Sequence, residues 1–155
     1  MRRCRPLLVF PATLCIGLAA CSSPAEPDWG AVQAQADAFI EAASTSEDSL
    51  GAGTWRAAPS EEVPSDGVTL DYPSAVRVEG IRAVCFGSGE ANFGAMVLTE
   101  SSWTAIDPVV LTCDGESRTV SLDAPFERIN AISLNGRGED NAAVLLAAAV
   151  EGSTE

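Results

Sequence analysis

The chain has 155 residues, a formal charge of −13 and no histidine, and every basic side chain in it is an arginine. Without histidine there is no Ser-His-Asp or Cys-His catalysis and no His-ligated metal. Without lysine there is no Ser-Lys dyad and no Schiff-base nucleophile. An acidic chain is also a poor partner for nucleic acid or anionic lipid, which are held by clustered Lys and Arg.

Residues 1–20 read as a leader. Met1, Arg2, Arg3 and Arg5 make a basic start, and Leu7 to Ala20 is an apolar run ending in the small residues Ala19 and Ala20 before Cys21. The run is interrupted by Pro11 and falls short of the roughly 20 residues a spanning helix needs. An ordinary cleaved leader would leave unexplained a cysteine set between Leu-Ala-Ala and Ser22-Ser23-Pro24. Leu18-Ala19-Ala20-Cys21 resembles the lipobox of bacterial lipoproteins. The resemblance implies that the Cys21 thiol receives a diacylglyceryl group, becomes the first mature residue and anchors the protein to the outer side of the cell membrane. Two acyl chains, at about 0.8 kcal/mol per buried methylene, make such attachment stable.

Removal of the leader takes Arg2, Arg3 and Arg5 with it, so six arginines face 22 acids, a charge of −16. About 135 residues remain, enough for one domain. Of the five cysteines, Cys4 and Cys15 leave with the leader and Cys21 carries lipid. Cys85 and Cys113 remain in a compartment that permits disulfides, so a bridge between them is the default and two buried thiols the alternative. Closing a loop of this length stabilises by about 3.5 kcal/mol in the chain-entropy model.

Residues 21–27, with Pro24 and Pro27, form a tether lifting the domain from the membrane. From Asp28, Trp29, Val32, Ala36, Phe39, Ile40 and Ala43 recur at three- and four-residue spacing, predicting an amphipathic helix started by Pro27 and Asp28. Thr45 to Gly67 reads as a loop broken by Gly51, Gly53, Pro59 and Pro64, with Trp55 pinning it to the core. Residues 28–67 are thus helix and loop, and 68–155 the β domain.

After Gly67 the period becomes two: Val68, Leu70 and Tyr72, then Val76 and Val78. Gly80 shifts the phase, as at a β-bulge, and Ile81, Ala83 and Cys85 share a face. Phe93, Ala95 and Val97 alternate in another strand, and Val109, Leu111 and Cys113 in the next. Asp114-Gly115 is a hairpin signal leading into Thr119 to Leu122, and Ile129 to Leu134 ends at Asn135-Gly136. Ala142 to Val150 is apolar on both faces and suits either a buried helix or a central strand, the strand being favoured by its shortness. The pattern predicts a mainly β fold: a disulfide-linked antiparallel β-sandwich of about seven strands with the helix packed on it.

From about Val76 onward the chain resembles a group of small actinobacterial lipoproteins and secreted proteins. Their shared pattern is a strand ending in Cys-x-Gly-x-Gly, matched by Cys85, Gly87 and Gly89, then one ending in Cys-Asp-Gly, matched by Cys113, Asp114 and Gly115. The resemblance covers about half the chain and implies a disulfide-linked β-sandwich without implying an activity.

No catalytic residue is singled out. Gly87-x-Gly89 lacks the third glycine of a dinucleotide loop, since Asn92 stands there and a strand follows, so it reads as a tight turn. Paired carboxylates can do acid–base work, but the spacing of the 22 acids selects no pair. No cofactor is implied. Asn135, Glu139, Asp140 and Asn141 bring together oxygen ligands of the kind calcium takes, without the alternating Asp of an EF-hand, so a solvated turn is the simpler reading. Trp103, between Ser101, Ser102 and Thr104 and ahead of Asp107, is placed to stack on a sugar ring if its indole is exposed, and is core if it is not. The functional expectation is a non-enzymatic envelope protein presenting loops to a protein or glycan partner. The alternative is an accessory subunit of an envelope complex docking through its helix, which requires Trp29, Phe39 and Ile40 to be exposed in the isolated chain.

Overall fold

A computed structural model describes residues 27–57, 67–139 and 143–154. Cys21 and the leader lie outside the described residues, as do Asp140 and Asn141. The elements run in the order α1 (Trp29–Ser44), β1 (Ser49–Ala57), β2 (Val68–Thr99), β3 (Ser102–Asp114), β4 (Arg118–Val120), β5 (Phe126–Gly138) and β6 (Val144–Thr154).

The helix begins where Asp28 predicts. The Asp28 carboxylate accepts hydrogen bonds from the amides of Gly30, at 3.0 Å, and Ala31, at 3.2 Å, satisfying two of the donors that a helix start leaves open. Ala36 and Ala43 are buried, and Trp29, Val32, Phe39 and Ile40 pack with Ala36 against Val84, Phe86, Leu145 and Ala147.

The strands form one antiparallel network of six, in which β2 pairs with β3, β4, β5 and β6. β2 is 32 residues long and works as several strands in succession. Along Ile81–Ala83 it lies between β6 and β4, and along Ala91–Leu98 between β3 and β5. β5 in turn lies between that second arm and Val68–Asp71. The expected count of about seven differs because the extended chain runs unbroken through the bend at Gly87 and Gly89, whose φ of 136° and 82° suit glycine. The bend is accordingly a turn of one strand and not the loop between two.

Gly80 does mark a bulge, at a register shift between Val78 and Gly80 against β6. Three other boundaries need correction. Residues 49–57 are not loop but an edge strand on β6, and this carries Trp55 into the core at 5% exposure. Asp114-Gly115 does not join a hairpin: β3 pairs with the second arm of β2 and β4 with the first. The Gly115 amide donates instead to the Cys85 carbonyl at 3.0 Å. β5 continues through Asn135-Gly136 to Gly138, because Gly94 and Phe93 of β2 pair with those two residues.

β6 is a central strand between β1 and β2, and Val144 to Val150 are all buried. This explains the absence of alternation: Leu146, Ala148 and Val150 face the main core, while Leu145 and Ala147 lie under α1. The main core joins them to Ile81, Ala83 and Cys85 from one arm of β2, Phe93, Ala95 and Val97 from the other, and Leu111, Ile132 and Leu134. Cys85 and Cys113 are disulfide-bonded. The bridge ties the first arm of β2 to β3, a strand that pairs mainly with the second arm.

Candidate functional site

The alternation that sends Ala91, Phe93, Ala95 and Val97 inward leaves Asn92, Gly94, Met96 and Leu98 on the opposite face, partly exposed. Register extends that face sideways. Trp103 lies opposite Leu98, Ala105 opposite Met96 and Val110 opposite Asn92 on β3, while Ser133, Asn135 and Arg137 lie beside them on β5. Helix α1 covers the far side of the β2–β6 arm. Among the described residues no helix covers this second face.

Trp103 is 44% exposed and Val110 51%, the two large apolar side chains most open to solvent among the described residues. Trp103 owes its place to a tight hairpin. Thr99 pairs with Ser102, and Glu100, at φ 53°, makes the turn. The indole therefore stands at the start of β3, ahead of a strand that passes through Asp107 and Pro108. Those two residues form a bulge against Gly94, since Phe93 pairs with Val109 and Ala95 with Ile106.

Trp103 and Asp107 do not converge on one cavity. Asp107 lines a depression of about 390 Å³ with Asp123, Pro125 and Phe126, and Trp103 is not in its wall. A second, shallow cavity of about 310 Å³ lies on the exposed face, lined by Asn92, Pro108, Asn135, Gly136 and Arg137. Beside it the Asn135 side chain lies over Gly94, where a Cβ would stand 2.8 Å from the Asn135 Oδ1.

The solvated turn expected from Asn135 onward is corrected by the same register, while Asp140 and Asn141 lie outside the described residues. Asn135 to Gly138 are strand, so Asn135 and Arg137 point away from Gly136 and Gly138, which are buried. The Glu139 carboxylate accepts a hydrogen bond from the Asn92 side-chain amide, and its backbone amide donates to the Glu90 carbonyl at 2.8 Å. Among the described residues no group of three or more carboxylates and thiols is assembled to hold a metal.

The helix face is not an open surface. Trp29, Phe39 and Ile40 are half-buried against β2 and β6. Arg56 stacks over the Trp29 ring at 4.9 Å and Arg82 over Phe39 at 5.9 Å. These three side chains are thus partly covered and less open than Trp103.

Asn92, Gly94 and Met96 were not legible as site residues, although the period of two that marks Phe93, Ala95 and Val97 as core also marks them as outward. Away from this face, Tyr72 is buried enough that the pKa of its hydroxyl is pushed up to about 12 by loss of hydration, and it has no hydrogen-bond partner among the described residues. The chain matches no protein-family model, and no curated protein is significantly similar to it.

Proposed function

We propose that this chain is a lipid-anchored, extracytoplasmic envelope protein that binds a protein or glycan partner and catalyses no reaction. Leu18-Ala19-Ala20-Cys21 supports the anchor. The fold we read as a β-sandwich: the two arms of β2 contribute to opposite layers, and Ile81, Ala83 and Cys85 of one meet Phe93, Ala95 and Val97 of the other in a single core. The bend at Gly87 and Gly89 passes the strand from one layer to the next, and the disulfide closes the layers beside it.

The observation that carries the binding reading is an asymmetry of cover. One outer face lies under α1, and among the described residues no helix covers the other, where Trp103 is 44% exposed. Exposed aromatic area on a rigid sheet commonly marks recognition. The missing histidine and lysine support a non-enzymatic role.

The test is photo-crosslinking in intact cells from a reactive group at position 103, with the exposed helix position of Ala34 as control. A defined adduct from 103 and none from 34 is expected. Adducts from 34 alone would transfer the docking surface to the helix.

A further inference from the structure

We infer that the uncovered face of β2, β3 and β5 is a binding site for a neutral glycan chain. This rests on the partner-binding reading above and specifies its ligand.

The face offers what a sugar polymer needs in the order it needs it. At one end is the Trp103 indole, an apolar plate on which the C–H face of a ring stacks. Next to it is the partly exposed Met96. Beyond lies the shallow cavity lined by Asn92, Pro108, Asn135 and Arg137, with the Asn135 amide seated over Gly94. An amide both donates and accepts, which matches hydroxyl groups that do the same. From Leu98, opposite Trp103, to Asn92 is six residues of strand, about 20 Å at roughly 3.3 Å per residue. That length spans several sugar rings.

Charge separates this ligand from the others. The chain as a whole carries −13, so a polyanion is repelled. Along the face the charged groups are Glu100, paired with Arg128 at 3.7 Å in the turn before Trp103, then Arg137, Glu139 and Glu90 at the far end, and Asp107 on β3, which lines the other cavity. Glu139 is already engaged by the Asn92 amide. A cationic partner therefore finds most of its carboxylates elsewhere on the molecule. A peptide added as an extra strand would need the free edge of β3, which is broken by the bulge at Asp107 and by Pro108, a residue with no N–H to donate.

The experiment is calorimetric titration of the purified full chain with neutral oligosaccharides of glucose, galactose and mannose, and with polygalacturonate as the anionic counterpart. Trp103→Ala and Asn135→Ala should each weaken neutral-glycan binding about tenfold or more. Asp37→Asn on the exposed side of α1 should not. Saturation-transfer NMR from the wild-type protein to the bound sugar provides a readout that no variant's folding can confuse. Preferred binding of the polyanion, or equal affinity in all variants, overturns the inference. If no neutral sugar binds while position 103 crosslinks a protein in cells, the glycan is wrong and the partner-binding reading stands. If position 103 captures nothing and no glycan binds, both fall.

Discussion

Replacing Cys85 and Cys113 together by alanine removes a cross-link between residues 28 apart in sequence. In the chain-entropy model a loop of that length restricts the unfolded chain by about 3.5 kcal/mol. The native side loses little, because both Cβ atoms remain at positions that are 0% and 6% exposed and only the sulfurs are vacated. For a domain of this size roughly 3–4 °C of melting temperature accompanies each kcal/mol, so the double variant should melt about 10–15 °C lower. Differential scanning calorimetry of the full chain under non-reducing conditions measures this, with the reduced wild type expected to fall beside the variant. The structure predicts that the loss appears mainly as stability and not as a change of fold, because β2 and β3 stay paired from Glu90–Thr112 to Thr99–Ser102 without the bridge. A drop below about 3 °C, or alkylation of both thiols in the native protein, would refute the reasoning.

Tyr72 is the single tyrosine, so tyrosinate absorbance reports it alone. Its midpoint should lie near 12 in the folded chain and near 10 after denaturation. Because the folded value is the higher, the unfolded state loses the proton first; the contribution to stability is full below pH 10 and lost as pH rises towards 12. A folded midpoint at 10 would mean that the hydroxyl is hydrated. Asp28→Ala should cost about 1 kcal/mol through the lost helix cap, seen as a small shift of the urea midpoint at unchanged slope. Gly152→Ala drives a Cβ into the Arg77 carbonyl where β6 meets β2 and should destabilise far more than the cap variant, by at least about 2 kcal/mol in the same urea titration. Cys21→Ala should abolish incorporation of labelled fatty acid and membrane retention on fractionation; equal label in both proteins would remove the anchor from the account.

What could be read from the residues was whatever a period enforces. The helix from Trp29, the inward faces around Phe93 and Leu111, and the inward placement of Cys85 and Cys113 all follow from burial on one side of an element. What could not be read depended on partners distant in sequence. The segment holding Gly51 and Gly53 has no alternation of large residues to announce a strand. It is nevertheless one, because β6 supplies the partner and the side chains of Leu70 and Val68 occupy the space beside those glycines. Asn135-Gly136 has the composition of a turn, yet β2 pairs with both residues and extends the strand past them. The same limit hid the site. Trp103 drew notice as an isolated aromatic, but its neighbours across the sheet, Met96 and Asn135, are set by register, which a single chain read in order does not display.

Hydroxyl-radical footprinting of the full chain, with and without isolated cell-envelope material, tests the central claim most directly, since tryptophan and methionine side chains both report on their own exposure. The account predicts that Trp103 and Met96 become protected when envelope material is added while Trp29 and Phe39 of α1 keep their reactivity. Protection of the α1 residues with Trp103 unchanged would contradict it.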